Sequence, residues 1–194
     1  MSIQHEIKNR RTVVPAQFNG KSVSDDEIKE LLEMAKWAPT HAKTQPWNFA
    51  VVQGDALQAM GTWLEEQYHA KAAKPSEIKG KKFRENLQKS EAVILLFMSR
   101  DPKERIPEWE EVAATSMAVQ NMWLALDSMD LAGYWSSPKS FGDVPAYLTE
   151  LGHGEFVEGM HKFLGFFCLG RHDKPEEQMP AERIPVSEKT IWID

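Results

Sequence analysis

The stretch AVILLFM, from Ala92 to Met98, is an uninterrupted apolar run bounded by Glu91 and Ser99. Its length and β-branched content favour a strand that is buried on both faces. Such a strand lies at the centre of a sheet and needs helices on both sides to cover it. Three further segments predict companion strands, namely residues 48–53, LAGYWSS and HKFLGFFCLG.

Helical patterns surround these strands. Ser24 and Glu27 have the spacing of a capping box, and the apolar residues that follow predict a helix over about 24–37. Pro107 can occupy the first turn of a long apolar helix that runs to about Asp130. Further helices are predicted over about 57–72 and 143–151, and the Lys- and Glu-rich residues 76–89 are predicted to be a solvated helix or an excursion of the chain. The combination is an α+β fold in which helices flank a central mixed antiparallel sheet.

Length and charge limit the classes of function. With 194 residues the chain is expected to form a single domain spanning residues 1–194. A formal net charge of −6, without a long basic run, argues against nucleic acid as the main partner. No apolar run reaches the roughly 20 residues of a membrane span, and the first residues lack the apolar centre of a signal peptide, so we expect a cytoplasmic protein.

Common catalytic motifs are missing from the chain. The sequence contains no G-x-S-x-G nucleophile elbow, no G-x-x-x-x-G-K-[ST] phosphate loop and no H-E-x-x-H zinc helix. The six histidines show no metal-binding spacing, so no metal is predicted. The one cysteine, Cys168, lies inside the run FLGFFCLG, and we assign it no catalytic role.

Two segments carry the chemistry that remains. Asn9-Arg10-Arg11-Thr12 offers two guanidiniums and a hydroxyl, which can hold a phosphate dianion or can simply be solvated. The stretch WAPTHAKTQPWNF, residues 37–49, places histidine, lysine and glutamine between prolines and tryptophans, and is interpreted as a binding loop. Trp109 and Trp123 of the long helix are interpreted as core or subunit-interface residues.

The chain resembles the nitroreductase family of FMN-dependent oxidoreductases. RRT near the N-terminus is similar to the family's R-R-S, and APTHAKTQPWNF is similar to its A-P-S-x-x-N-x-Q-P-W-x-F loop. The resemblance implies that Arg10 and Thr12 bind the flavin phosphate, with Arg11 as a neighbour and Arg183 completing the site.

The same resemblance implies contacts to the flavin ring from His41, Lys43 and Gln45 in the loop, and from Tyr134, Trp135 and Ser136 in GYWSS. The alternative for His41 is a hydrogen bond that braces the loop, and the alternative for Gln45 is a role in shaping the loop. Lys43 stands where the family commonly has asparagine, and Trp37 stands where a subgroup of short members has arginine. A cation beside the ring would raise the flavin reduction potential, so Lys43 is interpreted either in that role or as a solvated lysine.

The family implies an intertwined homodimer in which each of two FMN sites is built from both chains. The implied activity is ping-pong transfer of hydride from NADH or NADPH through FMN to an acceptor such as a nitroaromatic or a quinone, with the flavin rather than a side chain as the catalytic group. The alternatives are a family member with a non-nitro substrate, a non-enzymatic FMN-binding or redox-sensing protein, and a cofactor-free dimeric interaction module. The sequence leaves the acceptor and the nicotinamide preference open.

Overall fold

The protein was analysed as a computed structural model that describes residues 2–137, 142–153, 156, 159–173 and 181–193. Within them, four strands form one sheet in the spatial order β1-β2-β4-β3. The strands are β1, Trp47–Gln53; β2, Ala92–Ser99; β3, Ala132–Ser136; and β4, His161–Gly170. Every neighbouring pair is antiparallel, so the sheet is antiparallel throughout the described residues, a narrower arrangement than the mixed antiparallel sheet expected.

Strand β2 is the centre of the molecule, as its sequence predicts. All residues from Ala92 to Met98 are fully buried. Ile94 and Leu96 belong to the apolar cluster on one face of the sheet, while Val93 and Leu95 belong to the cluster on the other face. The alternation of a strand therefore distributes one continuous apolar run between two cores.

Helices cover both faces of the sheet. They are α1, Ile3–Asn9; α2, Asp25–Ala35; α3, Asp55–Lys71; α4, Glu77–Gln88; α5, Glu108–Ala125; and α6, Val144–Glu150. Buried residues of α2 and α5 join the first cluster, and those of α3, α4 and α6 join the second. The α+β class is thus confirmed, with three layers of helix, sheet and helix.

The helix boundaries follow local chemistry. The capping box predicted at α2 is present, because the Glu27 backbone N–H donates to Ser24 Oγ at 3.3 Å and the Ser24 N–H donates to Glu27 Oε2 at 2.9 Å. Pro107 is the N-cap of α5, immediately before the first turn in which the sequence predicts it. Helix α5 also ends earlier than predicted, before a short 3-10 turn at Asp127–Met129.

Two further features are the lack of a membrane-spanning helix among the described residues and the burial of the cysteine. No helix among the described residues is both long enough and apolar enough to cross a membrane. Cys168 is fully buried in β4, and burial raises the pKa of its thiol to about 12. Because the thiolate is the nucleophilic form, this cysteine is a poor nucleophile at neutral pH.

Candidate functional site

Arg10 ends helix α1 and lies against helix α5. Its Cζ atom is 4.5 Å from the ring centroid of Trp123, a cation–π arrangement. The pKa of Arg10 is lowered, first by burial and then by the positive charges of Arg183 and Arg11. Arg183, which is distant in sequence, and the adjacent Arg11 are therefore both close enough for their charges to repel that of Arg10.

The Arg10 guanidinium has a buried N–H donor that lacks a hydrogen-bond acceptor. Its Nη1 atom is buried without a hydrogen-bond partner, and the indole Nε1 of Trp123 is in the same condition. No described carboxylate forms an ion pair with Arg10. Buried donors are normally satisfied, and a buried cation is normally paired. The arrangement fits an anionic ligand better than an empty surface.

The other predicted phosphate residues lie around Arg10. Arg11 Nη1 donates to the backbone carbonyls of Lys8 at 2.9 Å and Arg10 at 3.1 Å. Thr12 is exposed. The next residue, Val13, donates its N–H to the Gly133 carbonyl at 3.2 Å, which holds this segment against β3. Arg183 is exposed, and its Nη1 donates to the Glu182 carbonyl.

The loop after α2 has an unusual backbone. A short 3-10 turn spans His41–Lys43, and Ala42, Lys43 and Gln45 all have positive φ, at 51°, 55° and 46°. Each left-handed residue other than glycine costs roughly 1–2 kcal/mol. The loop is held by Thr40, whose Oγ1 accepts from the Gln45 N–H at 3.1 Å and lies 3.1 Å from Thr44 Oγ1. Strain retained in an exposed loop is typical of a functional segment.

His41 is tied to the first turn of α5. Its Nδ1 lies 2.6 Å from Glu110 Oε2, and the imidazole remains largely exposed. Because a carboxylate only accepts, the Nδ1 atom carries the proton in this contact. Lys43 and Gln45 are exposed, and none of the ion pairs within the described ranges includes Lys43.

The start of α5 is itself anchored. Glu111 is fully buried and forms an ion pair with Arg100, and its Oε1 accepts from the Asp101 N–H at 2.8 Å. Adjacent glutamates therefore serve different purposes, with Glu111 fixing the helix and Glu110 holding the loop. We did not predict the role of Glu110 from the sequence, because a glutamate in a first helical turn is ordinary on dipole grounds alone.

The GYWSS residues do not form one surface. Tyr134 packs on the cluster shared with α3, α4 and α6, whereas Trp135 packs on the cluster shared with α2 and α5. The indole Nε1 of Trp135 donates to the Leu164 carbonyl at 3.1 Å, next to an irregularity in the β2–β4 pairing. Side chains at neighbouring strand positions point to opposite faces, so Tyr134 and Trp135 cannot both present their rings to one ligand. Ser136, the last residue of β3, is half-buried.

Two groups of predicted site residues, the arginines around Arg10 and the loop around His41, lie at opposite ends of α5. Arg10 contacts Trp123 near the end of the helix, and His41 contacts Glu110 near its start. At a rise of about 1.5 Å per residue, these two positions on the helix are about 20 Å apart. Within one chain, the arginines around Arg10 are therefore separated from the loop that carries His41.

The chain matches a protein-family model and a relative over most of its length. A model described as the nitroreductase family matches residues 7–170. YfhC of Bacillus subtilis, provisionally named an NAD(P)H nitroreductase, is 30% identical over 187 residues, which cover 94% of this chain and 90% of YfhC.

Solved structures share the fold over almost the whole chain. A nitroreductase-like family protein from Bacillus cereus is 27% identical with a TM-score of 0.77, over 100% of this chain and 96% of that one. A Desulfovibrio desulfuricans protein solved in complex with FMN is 20% identical with a TM-score of 0.72, over 100% of this chain and 98% of that one. At 20% identity the second likeness concerns the fold alone.

Proposed function

This chain belongs to the nitroreductase family, and on that premise we propose that it binds FMN and passes hydride from NADH or NADPH to a small electron acceptor such as a nitroaromatic or a quinone. The observation that carries the proposal is the guanidinium cluster of Arg10, Arg11 and Arg183, in which Arg10 has a buried donor without an acceptor. A phosphate dianion supplies the missing acceptor and the missing negative charge. FMN in the related Desulfovibrio desulfuricans structure supports the choice of ligand.

The residues have distinct duties in this proposal. Arg10, Arg11, Thr12 and Arg183 hold the phosphate, and the loop that carries His41, Lys43 and Gln45 borders the ring. The bound flavin supplies the hydride chemistry, so no side chain needs to act as an acid or base on the nicotinamide. The protein orients the ring and tunes its charge, for which an exposed cation such as Lys43 on a strained loop is suited.

We further propose that each site is composed of residues from two chains. The separation of about 20 Å between the Glu110 and Trp123 ends of α5 keeps the loop of one chain away from its own phosphate residues. Antiparallel pairing of two α5 helices would set the start of one helix beside the end of the other. The loop of one chain would then lie beside the phosphate-binding residues of its partner.

Helix α5 offers a surface for that pairing. Residues spaced three or four apart on its outer side are small, apolar or uncharged, and they reach solvent in the single chain, namely Trp109, Ala113, Ser116, Met117, Gln120 and Leu124. Trp109 is 69% exposed and Met117 is 40% exposed. An uncharged helix face of this kind is typical of a face that packs against another protein surface.

Replacing Met117 with arginine is expected to convert the dimer to monomer at micromolar concentration, because it places a charge at the centre of an apolar interface. Sedimentation velocity measures the change. The matched control is Ile78→Arg, which adds the same charge at an 82% exposed position on α4 and should leave the dimer intact. A wild-type protein that sediments as a folded, FMN-bound monomer would contradict the dimer.

The function itself is tested by spectroscopy of the purified protein. We expect one FMN per chain, and anaerobic mixing with NADPH or NADH should bleach the visible flavin band, with recovery on adding a nitroaromatic or a quinone. Bound FMN that neither nucleotide reduces would favour the redox-sensing alternative. A colourless protein that takes up no FMN would favour the cofactor-free interaction module. Steady-state rates across a panel of acceptors would distinguish nitroreduction from activity on a non-nitro substrate.

A further inference from the structure

The guanidinium of Arg10 is held in an unusual way. Most half-buried arginines are fixed by a carboxylate, which takes up the N–H fork and neutralises the charge. Here the only described group that contacts the guanidinium face is the Trp123 ring, 4.5 Å from Cζ. The buried Nη1 atom of this guanidinium has no hydrogen-bond partner among the described residues, so it stays available to a ligand.

Trp123 is well fixed for this purpose. It lies in the last turns of α5, is partly buried against the cluster that contains Ala118, Val119 and Met122, and makes an edge contact with Phe167 at a centroid distance of 5.4 Å. A ring in a packed core has few accessible rotamers. A guanidinium that stacks on it loses less freedom when a ligand binds than one on a flexible surface would lose.

We propose that Trp123 is a positioning residue of the phosphate site, whose ring holds the Arg10 guanidinium in place while leaving its N–H donors free for the ligand phosphate. The inference rests on the proposed function, since the phosphate is that of FMN. It adds a residue more than one hundred positions from Arg10 that contacts no ligand itself. Attraction between the ring and the cation also offsets part of the repulsion from Arg11 and Arg183.

The small cavity beside Arg10 agrees with this role. It has a volume of about 50 Å³, and its lining includes Asn9, Trp123 and His172. A space of this size admits one or two waters but not a phosphate ester. The Nη1 atom of Arg10 and the indole N–H of Trp123 are both buried without a partner here. The cavity therefore has room for a single phosphate oxygen beside these donors, with the rest of the ester outside it.

The test compares FMN with riboflavin, which has the same ring and ribityl chain but no phosphate. Titrations of the apo-protein are expected to show that Trp123→Leu weakens FMN binding about tenfold, while Trp123→Phe, which keeps an aromatic face, stays within about threefold of wild type. Riboflavin affinity should be unchanged in both variants. Phe167→Leu trims the same cluster but keeps the indole ring under Arg10, and should leave both affinities unchanged.

A purely structural role for Trp123 predicts a different pattern. Equal losses of FMN and riboflavin binding in Trp123→Leu, or wild-type FMN affinity in that variant, would overturn the proposal. Inorganic phosphate is a second probe that needs no flavin, because it should raise the melting temperature of the wild type and of Trp123→Phe more than that of Trp123→Leu. A wild type that binds neither flavin would contradict the proposed function, whereas the phosphate shifts would still decide the role of Trp123.

Discussion

Replacing Arg10 with alanine is expected to weaken FMN binding by about 30- to 140-fold, equivalent to about 2–3 kcal/mol, as measured by fluorescence titration of the apo-protein. The variant loses a charge-assisted contact to the phosphate dianion. It also loses the buried Nη1 donor of Arg10, for which no described residue acts as a hydrogen-bond acceptor in place of the phosphate.

The same substitution should not destabilise the apo-protein. Burial and the neighbouring charges of Arg183 and Arg11 lower the pKa of Arg10, which means that the fold without ligand disfavours its charged form. Removing the charge relieves that cost, which offsets the loss of the cation–π contact with Trp123. The apo variant should therefore melt close to the temperature of apo wild type, while its stabilisation by added FMN should largely disappear.

Two variants control for charge and geometry. Lys8→Ala removes one exposed positive charge from the same helix and should change FMN affinity little, because it takes away only screened, long-range attraction. Arg10→Lys keeps the charge but loses the fork, and an intermediate affinity is expected. Unchanged FMN affinity in Arg10→Ala would rule out the phosphate assignment.

The sequence predicts most of the fold because the decisive patterns are local. The capping box at Ser24 and Glu27 and the apolar run of β2 each depend on neighbours within a few positions. The end of the long helix was predicted too late, because apolar content continues past Ala125 while the backbone changes to a 3-10 turn that closes on the left-handed Asp130. Amino-acid composition does not distinguish an α-helix from a 3-10 turn.

The site is less predictable than the fold, because its defining contacts join residues that are distant in sequence. The Arg10 and Trp123 contact and the His41 and Glu110 contact each bring together segments with no shared local signal. Trp123 was interpreted from the sequence as core or interface, which describes its packing but omits the guanidinium above it. Strand alternation could have separated Tyr134 from Trp135 beforehand, because neighbouring residues in a strand face opposite sides.

The composite site makes a strong prediction for mixed dimers. One variant carries Arg10→Ala, and the other replaces His41, Lys43 and Gln45 with alanine to remove the polar side chains of the loop. Each variant homodimer should be largely empty at an FMN concentration that saturates wild type. The loop residues are exposed, so their truncation should cost the fold little.

A heterodimer of these two variants, co-produced with two affinity tags and purified through both, is expected to bind about one FMN per dimer, by the symmetry of a two-fold assembly. If each site takes its phosphate residues from one chain and its loop from the other, one site of the heterodimer carries both defects and the second carries neither. The intact site should also be reduced by NADPH at the wild-type rate per bound flavin. A heterodimer that stays as empty as its parents would mean that both groups act within one chain, which would require the separation along α5 to close by a rearrangement of the loop.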